Sequence, residues 1–269
     1  MSEAARGRAL VTGGSRRVGR AIAVELARRG LDVTVTARTR SPELMETVEM
    51  AVAARATAGT GPARVDGCEA IELDLSDAAG VEQFVRAHAG SAWDVLVLNA
   101  SSYERSGIPA GGATMDAVPE ASRFACEAES HFRVNAASAL ALAVGLAPAL
   151  MRSALAGGGA IVALGDMHAD GRPVRGFTPY LMSKAALAQM VKSLAVELAP
   201  RVRVNAVLPG VVAWPDGTDE QTRRAYEARI PLGRSGTPED AAGAVAWLAL
   251  DASYVTGIEL RVDGGRWLR

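Results

Sequence analysis

The chain has 269 residues, a length that fits one large domain or two small ones. With 49% apolar residues it can bury a substantial core, and a net charge of −1 without any basic block argues against nucleic acid as the main partner. The two cysteines and three histidines show no metal-ligand spacing, so we expect no bound metal. No secretory signal precedes the first strand, which favours a cytoplasmic protein. The longest apolar run (136–151) is interrupted by polar, glycine and proline residues, so we expect no membrane span.

Short β-rich apolar runs alternate with helical patterns along the chain. Strands are predicted at 9–11, 33–36, 70–73, 95–98, 160–164, 202–207 and 258–262, and helices at 18–29, 132–150 and 179–198. Such alternation is typical of a parallel sheet covered on both faces. No repeat or linker is visible, so residues 1–269 are predicted to form a single α/β domain with a doubly wound, seven-stranded Rossmann-type sheet. Ligands of such sheets bind beyond the carboxyl ends of the strands.

The stretch VTGGSRRVG at residues 11–19 links the first strand to the first helix. Gly13 and Gly19 allow close backbone approach, and the amides at the start of the helix can face a pyrophosphate. An ordinary tight strand–helix turn is the alternative. Arg17 stands where such a turn often has a glycine. Its positive charge can hold a phosphate, although the side chain can also point to solvent.

The end of the second strand favours one form of the cofactor. An acidic residue at this place holds the ribose of NAD, but the chain has Arg38 there. Together with Arg16, this residue suits the 2′-phosphate of NADP better, so NADPH is the predicted cofactor. A solvated arginine is the alternative.

Tyr180 and Lys184 are four residues apart and share one face of a predicted helix. A tyrosine with a pKa of about 10 is a poor proton relay at neutral pH. An adjacent ammonium favours its ionised form and helps it to exchange protons. Lys184 is one of just two lysines in the chain, which makes its position more informative.

The chain resembles the short-chain dehydrogenase/reductase family over nearly its whole length. The matching motifs are TGGSRRVG (12–19), DLSD (74–77), NAS (99–101), Asn135, YLMSK (180–184), LPG (208–210) and YVTGIELRVDGG (254–265). The resemblance implies an NAD- or NADP-dependent oxidoreductase, often a homotetramer. It places the cofactor on Gly13, Ser15, Arg16, Arg17, Val18, Gly19, Arg38, Asp74, Leu75, Asn99, Ala100, Ser101, Lys184, Pro209 and Gly210. It also implies that Tyr180 is the proton donor and that Asn135 holds a relay water. Asp74 can instead cap the next helix, as can Ser76 or Asp77.

Asp166 departs from the family pattern, because a serine usually ends the fifth strand and donates a hydrogen bond to a substrate carbonyl. A carboxylate there repels a developing alkoxide but suits a ring nitrogen that receives a proton. This disfavours plain ketone reduction, although Asp166 can also be a structural turn residue. The fourth strand ends in NASSY (99–103) instead of the usual asparagine-alanine-glycine.

Arginine in the glycine loop, NASS followed by an aromatic residue, and an aspartate before YxxxK together resemble pteridine reductases. This resemblance implies a small-molecule substrate of pterin type, bound by Arg17, Ser101, Tyr103, Asp166 and Tyr180. The stretch 211–231, which carries Trp214, is predicted to form a lid over it. The sequence of the insertion at 104–123 does not indicate which ligand, if any, it contacts. Two alternatives remain: a carbonyl reductase of another substrate class, and a catalytically silent NADP-binding regulator.

Overall fold

The computed structural model describes residues 7–58, 67–106 and 121–269, and these form one parallel sheet of seven strands. The strands are β1 (Arg8–Thr12), β2 (Asp32–Ala37), β3 (Cys68–Glu72), β4 (Val95–Leu98), β5 (Gly159–Leu164), β6 (Val202–Pro209) and β7 (Glu259–Val262). Their order is β3-β2-β1-β4-β5-β6-β7, which reverses between β1 and β4. Such a reversal opens a crevice at the carboxyl ends of the strands, where ligands bind.

Helices cover both faces of the sheet. Their bounds are α1 (Arg17–Arg28), α2 (Pro42–Ala56), α3 (Ala78–His88), α4 (Ala121–Phe132), α5 (Ser138–Leu150), α6 (Thr178–Glu197), α7 (Glu220–Glu227) and α8 (Pro238–Ala246). Helices α1, α2 and α8 pack on one face, and α3, α5 and α6 pack on the other. The predicted doubly wound fold class is confirmed.

Strand side chains alternate between the two cores. Leu10 and Leu96 point to the layer under α5 and α6, whereas Val11 and Val97 point to the layer under α1. All four are fully buried. Because successive strand residues face opposite sides, both faces of a central strand must be apolar, and this explains the unbroken apolar runs of the sequence.

The long helix predicted over 132–150 is divided. A π-turn over Arg133–Ala137 separates α4 from α5, with the amide of Ser138 bonded to the carbonyl of Arg133. The extra residue in this turn shifts the helix face, so that Asn135 is buried toward the carboxyl edge of the sheet. Hydrophobic periodicity alone does not reveal such a turn.

One continuous helical stretch, Ser122–Leu150, is long and apolar enough to cross a membrane by length and composition. More than half of its most apolar window is buried inside the fold. Leu142, Leu146 and Leu150 are fully buried in the core between this helix and the sheet. Packing in the domain therefore accounts for its hydropathy.

Candidate active site

The glycine loop has the tight backbone that the sequence predicts. Gly13 has a φ of +68°, and a Cβ there would lie 2.8 Å from the Cα of Ala100. A Cβ on Gly19 would overlap the carbonyl oxygen of Gly13. The Asn99 amide donates to the carbonyls of Thr12 and Gly13 at 2.9 and 3.0 Å, which joins the loop to the end of β4. No larger residue fits at either glycine.

Arg17 takes a backbone conformation that favours glycine. Its φ of +50° is the one positive value of a non-glycine residue in the described chain. Its guanidinium pairs with Asp216 of the lid at 3.3 Å, and the Arg17 side chain is 41% exposed. The ion pair between Arg17 and Asp216 therefore joins the glycine loop to the predicted lid. The predicted contact of Arg17 with a cofactor and a heterocycle stays a prediction.

Replacing Arg17 by glycine should raise the free energy of unfolding by about 0.5–1 kcal/mol. A left-handed conformation costs a residue with a Cβ roughly 1–2 kcal/mol, and the greater freedom of glycine in the unfolded chain offsets part of this gain. The exposed ion pair with Asp216 contributes little. Arg17→Ala is the matched control, because it loses the charge and keeps the Cβ. Equal stabilities of the two variants in urea denaturation would contradict this account.

Around the adenosine end of the predicted cofactor site, Arg38 follows β2 and lies near Asp74. Hydrogen bonds from Ser76 lower the pKa of Asp74 most, and Arg38 adds to the effect. Asp77, not Asp74, caps α3 by accepting from the amide of Ala79 at 3.0 Å. This leaves Asp74 at the strand end, in the place expected for adenine binding.

The remaining predicted cofactor residues lie along the same edge of the sheet. The carbonyl of Ser15 accepts from Arg20 and Thr47, which fixes the loop against α2. Leu75 is buried, and its carbonyl accepts from Ser138 at 2.6 Å. β6 ends at Pro209, and the amide of Gly210 donates to Val262.

These residues fit a dinucleotide. Helix α1 has no side-chain cap on its first amides and no acidic residue in its first turn, so an anion can bind there. Arg16, at the N-cap of α1, adds positive charge beside these amides. The exposed Arg38 can meet a 2′-phosphate.

We expect the protein to bind NADPH at least tenfold more tightly than NADH, and Arg38→Ala to remove this preference. A hydrogen bond to a charged group contributes about 1.5–3 kcal/mol, and 1.4 kcal/mol is about tenfold. Dissociation constants for both cofactors from fluorescence titration provide the measurement. Arg86→Ala is the control, because Arg86 is exposed and paired with Glu82 on α3. Equal affinities in the wild type would contradict the assignment.

Tyr180 and Asp166 meet at the carboxyl end of β5. The Tyr180 hydroxyl donates to Oδ2 of Asp166 at 2.9 Å, while Oδ1 of Asp166 accepts from the amide of His168 at 2.7 Å. Asp166 is therefore both a turn residue and a partner of the phenol. Burial raises the pKa of Tyr180 well above its usual value, and Asp166 raises it further.

Lys184 lies one turn further along α6 and is 3% exposed. Its ammonium donates to the carbonyl of Leu164 at 2.7 Å and lies 5.9 Å from the centroid of the Tyr180 ring. Burial lowers the pKa of Lys184 to about 8, against an opposing effect of Asp166. The cation thus lies beside the phenol that it is predicted to assist.

Asn135 holds the turn that follows β4. Its Oδ1 accepts from the amide of Ser102 at 2.8 Å and from the hydroxyl of Ser101 at 3.1 Å. Its Nδ2 donates to the Ser102 carbonyl at 3.0 Å and to the Ser183 hydroxyl at 2.9 Å. The side chain therefore fixes the Ser101–Ser102 turn against α6. The predicted relay water stays a prediction.

His131 is a site residue that sequence reasoning missed. It is 6% exposed, its Nδ1 lies 2.5 Å from the hydroxyl of Ser102, and its ring is edge-on to Tyr180 at 6.0 Å. It lies one turn before Asn135, and the two side chains hold the same segment. The four-residue spacing from Asn135 to His131 was the available signal.

His131→Leu should lower kcat/KM about tenfold, mainly through KM, with NADPH affinity unchanged. The half-buried Ser102 hydroxyl would lose its partner, which costs up to about 1–3 kcal/mol, and the Ser101–Tyr103 turn would loosen. His131→Asn should restore most of the activity, because its amide lies near the position of Nδ1. Steady-state kinetics and NADPH titration measure the two effects. An equal loss in both variants, or a loss confined to stability, would contradict a positioning role.

An aromatic wall borders the Tyr180 hydroxyl. Tyr103 stacks on Phe177 with ring centroids 5.0 Å apart at an interplanar angle of 20°, and Tyr180 meets Tyr103 edge-on at 4.9 Å. Tyr103 is 58% exposed, so one face remains open to a ligand. Phe177 was not predicted, because nothing local marks it. Residues 107–120, which make up most of the predicted insertion at 104–123, lie outside the described residues.

The segment 211–231, which is predicted to form the lid, contains α7. Trp214, predicted to bind substrate, packs edge-on against Tyr226 with centroids 5.4 Å apart, and its indole donates to Ser235 at 3.1 Å. These contacts give Trp214 a role in holding the lid, and its contact with substrate stays a prediction.

Elsewhere, a cavity of about 490 Å³ lies between the ends of β6 and β7 and is lined by Gly210, Ile230, Leu232 and Gly264 among others. Tyr180, Lys184 and Asp166 do not line it, whereas the predicted cofactor residue Gly210 does. Within the described residues, no three His, Cys, Asp or Glu side chains cluster as metal ligands would.

The doubly wound sheet, the glycine loop and the Tyr180–Lys184 pair together define a nicotinamide-nucleotide-dependent oxidoreductase. The family model described as enoyl-(acyl carrier protein) reductase matches residues 13–266. The chain belongs to the short-chain dehydrogenase/reductase family.

Relatives span nearly the whole chain. L-rhamnose 1-dehydrogenase (NAD(P)(+)) of Azotobacter vinelandii is 35% identical over 95% of this chain and 94% of its own length. The rhamnolipids biosynthesis 3-oxoacyl-[acyl-carrier-protein] reductase of Pseudomonas aeruginosa is 32% identical over 96% and 94%. The NADP active-site complex of Pseudomonas aeruginosa RhlG superposes with a TM-score of 0.77 at 31% identity, covering 97% of this chain and 96% of that one. The predicted oxidoreductase class and NADP cofactor are confirmed; the pteridine reductase subgroup is not.

Proposed function

We propose that the protein is an NADPH-dependent reductase of planar, nitrogen-containing heterocycles of the pterin type. The observation that carries the proposal is the hydrogen bond from the Tyr180 hydroxyl to Asp166 at 2.9 Å. It places a carboxylate at the atom that must deliver the proton. The sign of that charge decides which acceptor the site favours.

A carbonyl substrate gains negative charge on oxygen as it is reduced, and a neighbouring carboxylate repels this charge. A ring C=N bond behaves differently, because its nitrogen takes up a proton and becomes neutral or positive. Asp166 also raises the pKa of Tyr180, so the phenol is a weaker acid than usual. A weak acid suits a basic nitrogen better than a carbonyl oxygen.

When bound, NADPH supplies the hydride to a ring carbon. The chain supplies the proton. The Tyr180 hydroxyl gives up its hydrogen bond to Asp166 and donates its proton to the ring nitrogen next to that carbon. The Lys184 ammonium, 5.9 Å from the phenol ring, stabilises the phenolate that remains. Solvent then reprotonates the phenolate.

The aromatic wall supports a flat substrate. The open face of Tyr103 can stack on a heterocycle, and such stacking contributes about 0.5–1.5 kcal/mol beyond burial. The hydroxyl of Ser101, two residues before Tyr103, is held by Asn135. Arg17 pairs with Asp216, and we expect it to leave this carboxylate when it meets the edge of a bound ring.

A reductase of sugars or 3-oxoacyl groups is the second candidate, supported by the names of two full-length relatives. The absorbance of NADPH at 340 nm distinguishes the two when the protein is offered dihydropterins, oxidised pterins, small ketones and a 3-oxoacyl thioester, with L-rhamnose and NADP⁺ in the reverse direction. We expect kcat/KM to be at least tenfold higher for a pterin. Turnover of ketones or L-rhamnose with none of any pterin would overturn the proposal and establish the second candidate.

We also propose that the protein is a cytoplasmic homotetramer. Apolar side chains remain exposed on the helices after β4, among them Phe132, Leu140 and Val144. Ile258 near the start of β7 and Leu268 in the C-terminal turn are exposed as well. These surfaces are suited to contacts between identical subunits.

A further inference from the structure

Arginine and aromatic side chains cluster where the lid meets the C-terminal turn (Arg266–Leu268). The Arg266 guanidinium lies 5.3 Å and that of Arg229 5.8 Å from the centroid of the Tyr226 ring. The guanidinium of Arg223 lies 5.9 Å from the ring of Trp214, which itself packs on Tyr226. Three cations therefore surround two aromatic rings.

Polar atoms of this cluster lack partners. Within the described chain, Arg223, Arg229 and Arg266 form no ion pair with an Asp or Glu side chain. Arg266 is 9% exposed, and although one of its terminal nitrogens donates to the carbonyl of Arg269, its Nε is buried without a hydrogen-bond partner. The Tyr226 hydroxyl and the Nε of Arg223 are likewise buried with no acceptor among the described residues. Buried donors without acceptors are costly.

The carboxylates near the cluster accept hydrogen bonds or pair with other residues. Asp263 accepts from the amides of Gly265 at 2.9 Å and Trp267 at 2.7 Å. Glu227 accepts from Ser235, and Asp216 pairs with Arg17. These hydrogen bonds leave the carboxylates of Asp263 and Glu227 charged, and both offset part of the positive charge of the cluster. Ser235 lowers the pKa of Glu227 most, and Arg223 lowers it further. Three guanidinium groups against two carboxylates still give the cluster a net positive charge.

The C-terminal turn packs against the segment after β5 that holds Asp166, because the indole of Trp267 donates to the carbonyl of Asp170 at 3.1 Å. Burial raises the pKa of Tyr103, Asp166 raises it further, and Tyr226 also contributes. The two phenols therefore lie within electrostatic reach of each other, with Tyr103 on the aromatic wall and Tyr226 under the lid. A ligand stacked on Tyr103 can extend toward Tyr226 and Arg266.

We propose that Arg266 and Tyr226, with Arg229 beside them, bind a carboxylate at the end of the substrate that is remote from the reacting ring. The planar fork of a guanidinium matches a carboxylate, and the phenol adds a third donor. Binding would satisfy the buried donors of both side chains. This inference rests on the proposed function for the position of the ring, and it narrows the substrate class to heterocycles with an acidic tail.

A binding experiment tests the carboxylate site without turnover. The NADP⁺-bound protein is titrated with sodium benzoate and with benzamide, its uncharged analogue, by isothermal calorimetry. We expect benzoate to bind at least tenfold more tightly, and this ratio to fall to near one in Arg266→Gln and severalfold in Tyr226→Phe. Arg224→Gln is the matched control, because Arg224 lies on α7 with Tyr226 and is already paired with Glu220 at 2.8 Å. It should leave the ratio unchanged.

A second measurement compares KM for dihydrofolate, which carries carboxylates, with KM for neutral dihydrobiopterin. Arg266→Gln should raise the first at least tenfold and leave the second within twofold. If no pterin is reduced but the benzoate ratio collapses in Arg266→Gln, the carboxylate site stands and the proposed function fails. Equal binding of benzoate and benzamide by the wild type overturns the site. The site is also overturned if Arg266→Gln and Tyr226→Phe keep the wild-type ratio of benzoate to benzamide affinity and the wild-type melting temperature. An equal loss of NADP⁺ affinity and benzoate affinity in these variants overturns it too.

Discussion

Tyr180→Phe is expected to lower kcat by about 10²–10⁴-fold, the usual contribution of a positioned general acid. Within the described residues, the phenol is the one side chain that donates a hydrogen bond to Asp166 at the end of β5. Phenylalanine keeps the ring that packs against Tyr103 and His131, so the aromatic wall should persist. NADPH should bind within about twofold of wild type. Stopped-flow turnover and fluorescence titration measure the two quantities.

Lys184→Ala is the companion variant, and it should lose both activity and NADPH affinity. Its ammonium lies beside the phenol, and the family resemblance places it on the nicotinamide ribose. Retention of more than about a tenth of the activity by Tyr180→Phe would remove the tyrosine from the proton step. A Lys184→Ala protein that binds NADPH normally would limit the lysine to its effect on the phenol.

The pH profile offers a second view of this pair. Because burial lowers the pKa of Lys184 to about 8, the ammonium is lost as the pH rises through this value. The neutral amine no longer stabilises the phenolate, so kcat/KM should fall above about pH 8. Tyr180 stays protonated through this range, since its pKa is raised by burial and by Asp166.

Asp166→Ser is expected to reverse the substrate preference, with the ratio of kcat/KM for a pterin over a small ketone falling at least tenfold. The substitution removes the carboxylate that favours a protonated nitrogen and introduces a hydroxyl that can donate to a carbonyl oxygen. It also lowers the pKa of Tyr180, which makes the phenol a better acid. Serine is a good N-cap, so the turn that Asp166 now caps through His168 should survive.

Two further readouts separate chemistry from structure in this variant. Asp166 raises the pKa of Lys184, so its removal should move the alkaline limb of the pH profile to lower pH. Asp166→Asn keeps the size and the cap but removes the charge, and it should lose pterin turnover without gaining ketone turnover. A substrate ratio that stays constant in both variants would make Asp166 a structural turn residue only.

Local sequence predicts the geometry of those parts of the candidate site that are formed by near neighbours in the chain. The glycine loop depends on residues that are neighbours in the chain, and Tyr180 and Lys184 share a helix face whatever surrounds them. Asp166 was placed at the end of β5 by its position after an apolar run. The observed strands begin or end one or two residues away from most of the predicted bounds, because strand termini depend on pairing with neighbouring strands. The division of the helix at Arg133–Ala137 was missed, since a π-turn leaves apolar spacing almost intact.

The sequence by itself determined the fold class, the nucleotide loop and the Tyr180–Lys184 pair, because each follows from residue type at short spacing. Tertiary structure alone decided which distant residues complete the site. His131 meets Ser102 across 29 residues, and Phe177 stacks on Tyr103 only because β4 and β5 are adjacent in the sheet. The cluster of Tyr226 and Arg266 forms in the same way, where the lid folds onto the C-terminal turn. Such pairs are set by strand order and by the path of the connections, which no local pattern contains.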